Sequence, residues 1–150
     1  TRLRWPVGEV RLMEYLVHYH DRPIEDSPRG IRRALARANR VLNTGADGAH
    51  EAFSLLLRLK RADTLAHAHR AVHKRMKELD RVQAQYEEEL ERGCAFCVAD
   101  LAIGGADLLE MGVERGPLVG YILKRLVREV VDDVLPNTPD ALRARAKAFM

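Results

Sequence analysis

Apolar residues return every three to four positions along almost all of this 150-residue chain, and no convincing run alternates as a strand would. Such a period buries one face of a helix and leaves the other to water. The fold class this predicts is all-α, a multi-helix antiparallel array in two subdomains. No apolar run approaches the ~20 residues a membrane-spanning helix needs.

The first helix is expected to end near Tyr19, with Val10, Met13, Leu16 and Val17 facing inward. Ser27-Pro28 reads as a helix start: serine caps, and proline suits a first turn whose N–H groups have no helical partner. That second helix should reach Leu42, burying Ile31, Leu35, Ala38 and Leu42. Residues 43–48 read as a loop. A third helix follows with Phe53, Leu56 and Leu57 inward, and a fourth ends near Arg92 with Val72, Met76, Leu79, Tyr86 and Leu90 on one face. One unbroken helix from 50 to 92 would be too long for a compact domain, so a break is expected near residues 67–70.

Gly93 closes the fourth helix and marks the expected boundary between residues 1–92 and 93–150. Beyond it, Gly104, Gly105, Gly112, Gly116 and Gly120 punctuate two short helices, near 98–103 and 106–111. A longer helix opens at Gly116-Pro117. It turns Val119, Ile122, Leu123, Leu126, Val127, Val130 and Val131 inward, and Tyr121, Lys124, Arg125 and Arg128 outward. Gly120 is read as a place where a neighbouring helix comes close. Asn137-Thr138-Pro139 opens a last helix, with Leu142, Ala146 and Phe149 inward and Arg143, Arg145 and Lys147 outward.

Charge is unevenly spread. The net charge is +3, yet residues 29–77 hold twelve Lys and Arg against three acids, Asp47, Glu51 and Asp63. Arg29, Arg33, Arg37 and Arg40 share one stripe of the second helix, a spacing suited to a phosphate backbone. Aromatics make up only 5% of the chain, which favours phosphate contact over base stacking. Residues 93–150 carry slightly more acid than base. The N-terminus lacks a signal-peptide pattern, and Cys94 and Cys97 lie too close together to close a useful loop; a reducing cytoplasm is expected. The first residue is Thr, not Met, so a portion of something longer is expected.

The run Asp100-Leu-Ala-Ile103-Gly-Gly-Ala-Asp107-Leu, then Gly112 and Gly116-Pro-Leu-Val-Gly120, a long helix, and Asn137-Thr138 resembles the C-terminal domain of bacterial CCA-adding enzymes and poly(A) polymerases of the same class. Val119 stands where that family usually has Ile. Upstream, 16–24, 31–33 and 55–63 look like the last helices of the HD-like region that precedes this domain. The resemblance implies a tRNA-binding portion of an enzyme that adds C, C and A to a tRNA 3′ end from CTP and ATP with Mg²⁺. The polymerase head's Gly-rich loop and D-x-D pair do not occur in these 150 residues, so no catalytic residue and no cofactor is assigned here. The expected partner is the acceptor arm, or minihelix, of tRNA. Candidate contacts are Arg29, Arg33, Arg37, Arg40, Arg115, Gly116, Lys124, Arg125 and Arg128.

Competing readings have weaker patterns behind them. His20, Asp21 and Asp63 are an incomplete version of the H…HD…D metal set, and Asp63 has Lys60 and Arg61 beside it as local partners. His69, His73, Cys94 and Cys97 have the types and spacing of a zinc site. Residues 108–116 resemble a helix-hairpin-helix element, a generic nucleic-acid module. Glu25-Asp26-Ser27-Pro28-Arg29 matches the family's E-D-x-x-R nucleotide template, but its place in the chain and the capping serine make the match a coincidence. An interaction or dimerisation element of the same enzyme, forming a homodimer, is the alternative to RNA binding.

Overall fold

The structure, a computed structural model, describes residues 5–66 and 72–150. Among these are seven α-helices, one 3-10 turn and no strand. They are α1 (Val7–Tyr19), α2 (Pro28–Leu42), α3 (Gly45–Ala66), α4 (Val72–Glu91), the 3-10 turn (Val98–Asp100), α5 (Gly105–Glu110), α6 (Pro117–Val131) and α7 (Pro139–Lys147). No helix among the described residues is long and apolar enough to cross a membrane. The all-α expectation holds. The chain divides into two compact units, Thr1–Arg92 and Gly93–Met150.

In the first unit α2 packs on α1, α3 and α4. The Ser27 hydroxyl accepts the Gly30 N–H at 3.0 Å, and Pro28 occupies the first turn. Ile31, Leu35, Ala38 and Leu42 are buried, as the period requires. Asn43, in the left-handed region at φ 56°, turns the chain out of α2. The loop expected at 43–48 is shorter than that, because α3 already begins at Gly45. Thr44 fills the space a β-carbon at Gly48 would need, so the glycines sit inside the first helical turn. α3 and α4 run antiparallel: Phe53 and His50 meet Tyr86, while Arg61 reaches Asp80. The break expected at 67–70 lies outside the described residues.

Two inward faces differ from expectation. On α1 the buried residue is Tyr15, with Leu12, Leu16 and Tyr19 half-buried beside it; Met13 and Val17 are 43% and 68% exposed. The apolar residues of α1 form two stripes, and the tyrosine stripe wins because α2 and α3 accept the larger rings. On α4 Leu90 is exposed and Glu89 buried, since Glu89 finds a cationic partner inside.

The second unit is built on Leu108, Ile122, Leu126 and Leu142, drawn from α5, α6 and α7. Burying each such side chain contributes about 1.5–3 kcal/mol. α5 ends at Glu110, and Gly112, whose φ of 93° suits glycine, turns the chain away two residues later. The Val113 N–H bonds the Leu108 carbonyl and the Gly112 N–H bonds the Leu109 carbonyl, a Schellman closure, with both Leu108 and Val113 in the core. Nothing comes near Gly120, contrary to expectation. At Gly105 a β-carbon would make an ordinary 3.4 Å contact with Val119.

Candidate nucleic-acid interface

α2 carries no acidic residue, and its outer face presents Arg29, Arg33 and Arg40 exposed to solvent. Arg37, on the same stripe, is half-buried. Its guanidinium lies 5.1 Å from the centre of the Tyr19 ring, which Arg22 also approaches at 5.4 Å. Stacking engages the face of a guanidinium and leaves its N–H edge for an anion. The α1 end thus adds one further cation, Arg22, to the arginine stripe, through a tyrosine whose signal in the sequence was only its place at a helix end.

The wider basic zone is not one surface. Arg32 turns inward to Glu89 at 2.7 Å, and Arg61 pairs with Asp80 at 2.7 Å. Lys60 is buried and donates from Nζ to the backbone carbonyls of His20 (2.7 Å) and Arg22. Acids of α4 neutralise part of the excess that residues 29–77 show as a string. Among the described residues, what stays exposed is Arg29, Arg33 and Arg40 of α2, together with Arg58 of α3 and Lys74, Arg75 and Lys77 of α4.

His20, Asp21, Asp63 and Lys60 share a cleft of about 410 Å³. Burial pulls the Lys60 pKa down from 10.5, while Asp21 and Asp63 push it back up. Arg22 and Arg75 line the cleft beside the Lys60 ammonium, and the His20 Nδ1 lies 2.6 Å from the Val17 carbonyl. Among the described residues no three His, Cys, Asp or Glu side chains gather as a metal-binding group. Of the zinc-pattern residues, His69 lies outside the described residues. Cys97 is buried, and burial and then Asp100 raise its thiol pKa. The two acids of the E-D-x-x-R look-alike are engaged within the fold: Glu25 accepts the Ser27 hydroxyl, Asp26 pairs with Arg81 at 2.6 Å, and the intervening Ser27 caps α2.

In the second unit the signature residues are structural. The Asp100 carboxylate accepts the N–H groups of Phe96 (3.0 Å) and Cys97 (2.8 Å). Asp107 accepts the Gly104 N–H at 2.8 Å and the Arg143 guanidinium at 2.6 Å, which together hold its pKa below 3.8. The Asn137 amide accepts from the Ala102 N–H at 2.9 Å and donates to the Asp100 carbonyl at 2.8 Å. Glu129 clasps Arg145 through both oxygens, at 2.6 and 2.7 Å, and that contact lowers its pKa from 4.5. Around this frame Lys124, Arg125 and Arg128 are exposed on α6, and Arg115 and Gly116 are exposed in the turn before it.

Residues 49–146 match the model of the family described as tRNA nucleotidyltransferase domain 2. The chain belongs to that family. A stretch of 49 residues is 51% identical to the CCA-adding enzyme of Latilactobacillus sakei subsp. sakei (strain 23K), covering 33% of this chain and 12% of that enzyme. No solved structure matches the chain.

Proposed function

We propose that this chain is the tRNA-holding portion of a CCA-adding nucleotidyltransferase, gripping the acceptor arm by its phosphates. The whole enzyme would add C, C and A from CTP and ATP, with Mg²⁺ held by a polymerase head. The observation that carries the reading is the acid-free outer face of α2, with Arg29, Arg33, Arg37 and Arg40 on one stripe, in a chain of this family. An α-helix repeats its stripe at a spacing that lets successive arginines follow one phosphate strand. The residues up to Arg92 would be the end of an HD-like region. Lys124, Arg125, Arg128 and Arg115, with the turn at Gly116, would supply further contacts from the second unit.

The test is a gel shift of a tRNA minihelix with the 150-residue chain. Wild-type affinity should fall on the order of a thousandfold from about 50 to 200 mM salt if six or more phosphates are held. Changing Arg29, Arg33, Arg37 and Arg40 to Glu should abolish the shift while leaving the helical circular dichroism in place. A flat salt response, or undiminished binding by the folded quadruple variant, overturns the proposal.

A second reading, self-association, has one observation behind it: Val7, Met13 and Val17 of α1 are exposed apolar side chains. Sizing without RNA tests it, and a monomer at tens of micromolar would exclude it.

A further inference from the structure

Resting on the tRNA-holding reading, we infer that Tyr121 is a stacking platform for an unpaired nucleobase, with Lys124 and Arg128 holding the adjoining phosphates. Tyr121 is 51% exposed, the only one of the four tyrosines on the surface, and the Arg125 guanidinium lies 5.9 Å from the centre of its ring. It stands on the outer face of α6, where Leu118, Lys124, Arg125 and Arg128 are also exposed. Spacings of three, four and seven residues put these side chains on one side of the helix. The only acid of α6, Glu129, is half-buried and held by Arg145.

The ring is not loose on that face. Arg125 donates from its guanidinium to the Tyr121 hydroxyl at 3.1 Å. Arg125 is itself laid over Phe149 at 4.5 Å, and Arg145 lies over the same ring at 4.8 Å. Glu129 fixes Arg145 in turn. Tyr121 is therefore presented by a braced chain of contacts running from α7 to α6. A fixed exposed ring beside cations is what an extruded base requires: its π-face stacks and its phosphates pair. Inside a continuous duplex no base offers such a face, because its neighbours already stack on it. The α2 stripe has the opposite composition, with arginines and no exposed ring. The two units thus suit different parts of one folded RNA, α2 the phosphates of a duplex and α6 a loop nucleotide.

The experiment compares two RNAs of equal length on the 150-residue chain, a hairpin with a seven-nucleotide loop and a blunt continuous duplex. Tyr121→Ala should weaken hairpin binding about tenfold or more and leave duplex binding within twofold of wild type. Tyr121→Phe and Tyr121→Trp, which keep a ring, should retain hairpin affinity. Lys124→Glu with Arg128→Glu should weaken hairpin binding and reduce its salt dependence. If Tyr121→Ala binds both RNAs as wild type does, while the α2 quadruple variant loses both, the stacking inference falls and the phosphate grip stands. Equal losses on hairpin and duplex also overturn it, because that pattern belongs to lost folding or lost charge. If the wild-type chain binds neither RNA, both readings fall together.

Discussion

Arg32 of α2 donates to Glu89 of α4 at 2.7 Å, and the two side chains are only 11% and 2% exposed. An ion pair removed from water this completely stays balanced only while both partners are present. Glu89→Ala should cost about 3–5 kcal/mol by urea unfolding, since it strands a guanidinium inside. The double change Arg32→Met with Glu89→Leu should recover most of that loss. A small effect of the single change would mean that water reaches the pair.

Gly30 sits in the first turn of α2, where alanine ordinarily gains about 1 kcal/mol over glycine. Here the gain should reverse. A β-carbon at Gly30 would lie 2.3 Å from the Glu25 carbonyl oxygen and 2.6 Å from the Glu25 β-carbon. Gly30→Ala should therefore lower the thermal midpoint, and a rise would show that the turn before α2 can move aside.

Lys60 ties the α1–α2 connection to α3 through the carbonyls of His20 and Arg22. Lys60→Met keeps the aliphatic stem and removes the donor. The expected loss is about 1–3 kcal/mol, from carbonyls left short of a partner. Calorimetry on the folded variant measures it; an unchanged midpoint would mean that cleft water replaces the ammonium.

Acid should weaken the second unit through Asp107 and Glu129. The Gly104 N–H and then Arg143 depress the Asp107 pKa below 3.8, and Arg145 depresses that of Glu129 below 4.5. The unfolded chain binds protons at higher pH than the folded one, so these contributions are complete above pH 4.5 and fade as pH drops through the folded values. The double variant Asp107→Asn, Glu129→Gln should lose less stability than wild type between pH 6 and pH 3. Identical slopes in thermal scans would refute the assignment.

Much of this fold is written locally. Ser27-Pro28 starts α2 by chemistry that needs no tertiary partner, and the α2 period gives its buried face directly. The α6 face is legible for the same reason. Glu89 and Leu90 are not: which of two neighbours goes inside depends on Arg32, fifty-seven positions away. α1 offers two apolar stripes, and only the surface of α2 and α3 chooses between them. The charge of residues 29–77 misled in the same way. A string count cannot see that Asp80 and Glu89 return to neutralise Arg61 and Arg32. Tyr121 was visible as an outward residue, but 5% aromatics argued against stacking, and a mean says nothing about where one ring stands.

The Asn137 amide spans Asp100 and Ala102 with one donor and one acceptor, as an adjoining backbone would. In a unit whose described residues hold no strand, a single side chain thus plays the part of a sheet neighbour. Its two functions sit on two atoms of one group. Hydrolysis of that amide to a carboxylate, an ordinary route of protein ageing, would replace the donor with an oxygen facing the Asp100 carbonyl. The bridge into α7 would then become a repulsion, so the storage life of this unit is tied to the chemistry of one nitrogen.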